Sequence, residues 1–127
     1  MPTITALSAG LIGLISIVIS VMVGRVRGRP GGVSIGDGGK PELILAMRRH
    51  ANFVEVVPLA PIRMALLEMN KVQPNAIHCL GAVLVIGRAC HAYGFGNEGP
   101  LSVLRAVGAV GSLLVTVVAS TWAISIF

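Results

Sequence analysis

The sequence predicts an all-α membrane protein, a single domain over residues 1–127 built as a four-transmembrane-helix bundle. Three observations carry this. Of 127 residues, 54% are hydrophobic and only 12% charged, where a soluble domain has about 25% charged, and mean hydropathy is +0.86. Residues 4–23 and 106–127 contain no charge, so each is long enough to span a hydrocarbon core of about 30 Å. Basic residues gather at the ends of the apolar runs, where they set topology and meet anionic lipid head groups.

Helix one is expected over about 3–25. It lacks a basic leader and its apolar run exceeds that of a signal peptide, so cleavage is not expected. Residues 28–39 hold six glycines and a proline and read as a loop. Lys40 follows glycine there, but no Ser/Thr comes next and no strand precedes, so the segment is a poor P-loop. Pro41 and Glu42 open helix two, about 41–69, with proline in a tolerated first-turn position and an acid at the positive dipole end. Pro58 and Pro61 inside it should kink or break it. A polar turn at 70–75 leads to helix three, about 74–93. A second turn at 97–100 leads to helix four, about 100–127. In helix four, Gly108 and Gly111 permit close helix approach.

The net charge of +5 does not imply nucleic acid, because 4% aromatic residues cannot supply a base-stacking surface. Cys79 and Cys90 are eleven residues apart, with no CxxC and no Cys/His cluster of zinc type, so no metal site is expected. They read as small buried hydrophobes. Lys and Arg concentrate around loops one and three, which predicts that these face the cytoplasm.

The charges inside helix two need an explanation. Arg48, Asn52 and Glu55, at i, i+4 and i+7, share one helix face. Ionisable groups are costly in a bilayer, so such a face marks a functional site by default. Arg88 and His91, at i and i+3, are neighbours on helix three, and Arg105 lies about one turn inside helix four. With Arg25 and Arg49, five arginines and a histidine converge on one membrane level, and Glu42 and Glu55 do not balance them. The site should favour an anion. Simpler roles stand beside this. Arg25, Arg27 and Arg29 also read as topology determinants, and Arg49 as an arginine snorkelling to head groups. Glu55 also fits a salt bridge to Arg48 or to a neighbouring helix, and His91 a helix-end polar group. Arg63 and Glu68 read as anchors at the far end of helix two.

The face Arg48-x-x-x-Asn52-x-x-Glu55-x-x-Pro58, followed by Gly87-Arg88-x-x-His91 and Arg105, resembles the MAPEG family of membrane-associated proteins in eicosanoid and glutathione metabolism. The stretch from Gly36-Asp37-Gly38-Gly39 to Leu43 looks like its bacterial members. The resemblance implies a homotrimer in a bacterial inner membrane, with glutathione between neighbouring subunits and a lipophilic small molecule as co-substrate. It implies that Arg48, Asn52 and Glu55 hold the polar backbone of glutathione, that Arg88 and His91 complete the pocket, that Arg25 or Arg27 reaches it from helix one, and that Arg105 stabilises the thiolate. Many relatives carry tyrosine where this chain has Val56, and several where it has Phe95.

The reading is therefore a membrane-bound glutathione-dependent transferase or peroxidase acting on lipophilic electrophiles. The alternatives are a non-catalytic protein of the same fold, or a small multidrug exporter. Exporters of that kind place a membrane glutamate in helix one, and 4–23 contains none.

Overall fold

The computed structural model describes residues 1–94 and 103–126. Among these the chain forms five helices: α1 (Thr3–Arg27), α2 (Pro41–Val56), α3 (Leu59–Met69), α4 (Pro74–Gly94) and α5 (Val103–Ile126). The helices α1, α4 and α5 are long and apolar enough to cross a membrane. The turn expected at 97–100, the start of the fourth predicted helix and Phe95 lie outside the described residues.

The second predicted helix is two helices, and Pro58 is the reason. It has no N–H to donate, and its ring crowds the carbonyl of Val54. Val57 (φ −81°, ψ −42°) and Pro58 (φ −58°, ψ −34°) nevertheless stay in the right-handed helical region. The junction is thus a kink between α2 and α3 and not a loop. Pro61 falls in the first turn of α3, where proline costs little.

Two contacts fix the ends of α1. Pro2 supplies no side-chain cap. Instead the Glu68 carboxylate, from α3, accepts the backbone N–H groups of Ile4 (2.9 Å) and Thr5 (2.8 Å). A carboxylate on the free N–H groups at the positive end of a helix is favourable on both counts. Glu68 is therefore a cap tying α3 to α1, beyond the anchor its position suggested. At the other end, Arg27 Nη1 donates to the carbonyls of Val33 (2.9 Å), Ser34 (3.1 Å) and Gly36 (3.1 Å). Arg27 thereby orders the glycine-rich loop, whose Gly36, Gly38 and Gly39 take φ values of +57° to +72° that side chains disfavour.

The core is small. Ala60, Met64 and Leu67 of α3 pack with Ile12 and Ile19 of α1, Ile77 and Leu84 of α4, and Val115 and Ala119 of α5. Large apolar side chains face outward along α1 (Leu7, Leu14, Ile17) and α5 (Val110, Leu113, Val117). A soluble protein rarely leaves such extended apolar surface uncovered; hydrocarbon or neighbouring subunits would cover it. Cys79, expected to be buried, is exposed, and Cys90 is partly buried. Positions 79, 83, 86 and 90 share one face of α4, and Val83 and Ile86 on that face are exposed as well.

Candidate functional site

The site is built around Arg88. Glycines bring α4 and α5 together there: a Cβ on Gly108 would lie 2.2 Å from the Gly87 carbonyl oxygen and 2.7 Å from His91 Cβ. At that separation Arg88 of α4, only 2% exposed, reaches both neighbours. Its Nε donates to Ser112 Oγ of α5 (2.6 Å) and its Nη1 to Asn52 Oδ1 of α2 (3.1 Å). Ser112 passes its own hydrogen on to the Gly108 carbonyl (2.8 Å), so its oxygen is set to accept. Bonds from a buried guanidinium are the strong class, and an unpaired charge in this place would be costly.

α2 packs on α1, whereas α3 packs on α5. At the kink, α2 and α3 leave a cavity of about 260 Å³ against α5. Its polar lining is Asn52, Glu55, Arg63, Arg88 and Thr116, and its apolar lining includes Val56, Leu59 and Leu113. Two guanidiniums and one carboxylate thus face a common space. Its volume lies below the roughly 300–1,000 Å³ of typical ligand pockets, and Glu55 at its edge is exposed.

Of the sequence-predicted residues, Asn52, Glu55 and Arg88 meet in this cavity. Arg48 lies on the same α2 face but points outward, exposed, and makes no hydrogen bond or ion pair among the described residues. The ion pair found among those residues is Arg29–Glu42, so the expected Arg48–Glu55 bridge is not formed. His91 is buried, one turn beyond Arg88 in the α4–α5 seam. Arg105, partly buried, is in the first turn of α5. Neither lines the cavity. Arg25 lines a different cleft, between α1 and α2, together with Arg29, Glu42 and Arg49. Arg27 does not line the α2–α5 cavity either; its guanidinium is occupied by the loop carbonyls.

The model of the MAPEG family matches residues 5–125. The chain belongs to the MAPEG family. It is also 41% identical over 92 residues to the inner membrane protein YecN of Escherichia coli (strain K12), covering 72% of this chain and 70% of that protein. YecN of Escherichia coli O6:H1 matches to the same extent. No solved structure matches.

Within this MAPEG fold, sequence reasoning missed three contributors. Arg63 was placed at the far end of helix two, yet it lines the same cavity as Asn52, because that cavity is elongated along the α2–α3 kink. Ser112, which holds Arg88, and Thr116, which lines the cavity, are uncharged and do not stand out in an apolar helix. The one available signal was the spacing of Gly108 and Ser112, which lets a serine bond back to the carbonyl four residues earlier.

Proposed function

We propose that the chain is a membrane-bound glutathione-dependent transferase or peroxidase acting on lipophilic electrophiles, working as a homotrimer. The observation that supports this most is the polar lining of the α2–α5 cavity. Glutathione carries two carboxylates and one ammonium; Arg63, Arg88 and Glu55 offer two guanidiniums and one carboxylate. Guanidinium binds carboxylate through two parallel bonds. When bound, glutathione supplies a thiol whose deprotonated form is the nucleophile.

In this reading Arg88, already held by Ser112 and Asn52, offers its remaining donors to one carboxylate without having to be reoriented. Arg63 takes the other. Glu55 accepts the ammonium. Arg48 faces out of its own subunit, so a neighbouring subunit would complete the pocket, and the small volume of the cavity within one chain agrees. Arg105 lies outside the cavity of its own chain, in the first turn of α5, and in this reading is the cation that meets the sulfur once the pocket is completed in the trimer; His91 supports the α4–α5 seam from within. Val56, Leu59 and Leu113 present an apolar wall through which a lipophilic electrophile would arrive from the lipid. The proposal places loops one and three on the cytoplasmic side of a bacterial inner membrane.

The test is the ultraviolet thiolate signal of glutathione bound to the detergent-purified protein, followed against pH. Wild type should show thiolate at neutral pH, and Arg105→Leu should shift the titration to higher pH while retaining glutathione. Absence of thiolate in a glutathione-bound wild type would favour the second reading, a non-catalytic member of the fold. One observation supports that second reading: Val56 lines the cavity where many relatives carry a tyrosine hydroxyl.

A further inference from the structure

The cleft that holds Arg25 is one end of a longer feature. Between α1 and α2 it measures about 390 Å³. Arg29 is paired with Glu42, which leaves Arg25 and Arg49 uncompensated. Arg49 is poorly served: its Nη1 meets only the Met22 sulfur at 3.0 Å, and its Nε is buried with no partner among the described residues. Thioether sulfur is a weak acceptor. Met22 also lines a second groove of about 340 Å³, between α1 and α4, whose walls include Leu14, Val18, Ile19 and Ala92. The two cavities therefore adjoin at Met22.

Along α1 they form one stripe at helical spacing, with Ile15, Val18 and Met22 followed by Arg25, and Arg29 follows just past the end of the helix. From Leu14 to the end of α1 at Arg27 the stripe is about 20 Å long at 1.5 Å per residue. That is half of the roughly 40–45 Å of a bilayer with its head groups. The apolar part points to the membrane interior and the cationic part to its surface.

We propose that this stripe is a binding site for one anionic phospholipid, its phosphodiester held by Arg25 and Arg49 and one acyl chain lying in the α1–α4 groove. The phosphate oxygens would supply the acceptors that Arg49 lacks. Glu42 also lines the cleft, and its bridge to Arg29 keeps its charge from opposing the lipid. The site is separate from the glutathione cavity: none of Arg25, Arg49, Met22 and Val18 lines that cavity, and Arg25, which the family resemblance would send to glutathione, holds the lipid phosphate in this reading.

Native mass spectrometry of the delipidated protein in mild detergent tests this, with titration by dioleoyl phosphatidylglycerol and, separately, dioleoyl phosphatidylcholine. Wild type should bind the anionic lipid at least fivefold more tightly than the zwitterionic one. Arg49→Gln should remove about fivefold of that preference, in keeping with the worth of one cation near an anionic head group. Val18→Trp, which fills the groove, should weaken both lipids. Lys71→Gln, in the turn between α3 and α4, should change neither. Glutathione titration of Arg49→Gln serves as a check of folding and should match wild type. Equal affinity for the two lipids, or an unaltered lipid series in Val18→Trp, would overturn the proposal. So would displacement of the lipid by millimolar inorganic phosphate, which would make the cleft a free-anion site. Trimers that take up no lipid would mean that a second copy of the chain covers the groove.

Discussion

Arg88 spends its charge inside the bundle, and what it touches decides what its loss would do. Removing it strands Ser112 Oγ as a buried acceptor and Asn52 Oδ1 as a partly buried one, and removing Asn52 frees one of its donors. Breaking one partner of a buried charged hydrogen bond costs about 2–5 kcal/mol, and about 1.4 kcal/mol is tenfold in affinity. Asn52→Ala and Glu55→Ala should each weaken glutathione binding at least tenfold, and Arg63→Ala should do the same because it shares the cavity. Lys71→Ala, in the turn away from the site, should leave affinity within about twofold. Equal losses at all four positions in a binding assay would mean a general loss of structure. At this scale the sequence showed which residues carry charge, since charges in apolar helices stand out. It did not show their partners. Arg88–Ser112, Arg27 on its loop carbonyls and Glu68 on the start of α1 all depend on how helices distant in the chain are set against each other. Spacing within one helix carries no information about that.

Among the elements, the α4–α5 crossing sets the position of Arg88. Gly108→Ala would place a methyl group 2.2 Å from the Gly87 carbonyl oxygen, and a backbone atom cannot rotate away as a side chain can. The helices must separate, at a cost of about 1–3 kcal/mol. Gly13→Ala, on α1, meets nothing within 4 Å and serves as the contrast. Thermal unfolding in detergent should show a lower Tm for Gly108→Ala and none of that loss for Gly13→Ala; an unchanged Tm in both would mean that the crossing is loose. The elements themselves were the most legible part of the sequence. Long uncharged runs announce α1 and α5, and Pro58 announces the break in the second helix. What stayed hidden was the mildness of that break. The backbone remains helical through Val57 and Pro58, which is how Arg63 comes to lie along the same cavity as Asn52.

At the scale of the molecule, one chain leaves much unfinished. Its outer faces on α1 and α5 are apolar, Arg48 is exposed, and the cavity is smaller than a typical ligand pocket. A second and third copy would resolve all three, so native mass spectrometry in mild detergent should show trimers; monomers or dimers alone would contradict this. Arg48→Ala should then weaken glutathione binding although Arg48 lies outside its own cavity. Isothermal calorimetry of glutathione binding to the detergent-purified protein tests the central claim most directly. The account predicts saturable binding at one glutathione per subunit in wild type, weakened at least tenfold in Asn52→Ala. No heat of binding in a folded wild type, or binding that Asn52→Ala leaves unchanged, would contradict it.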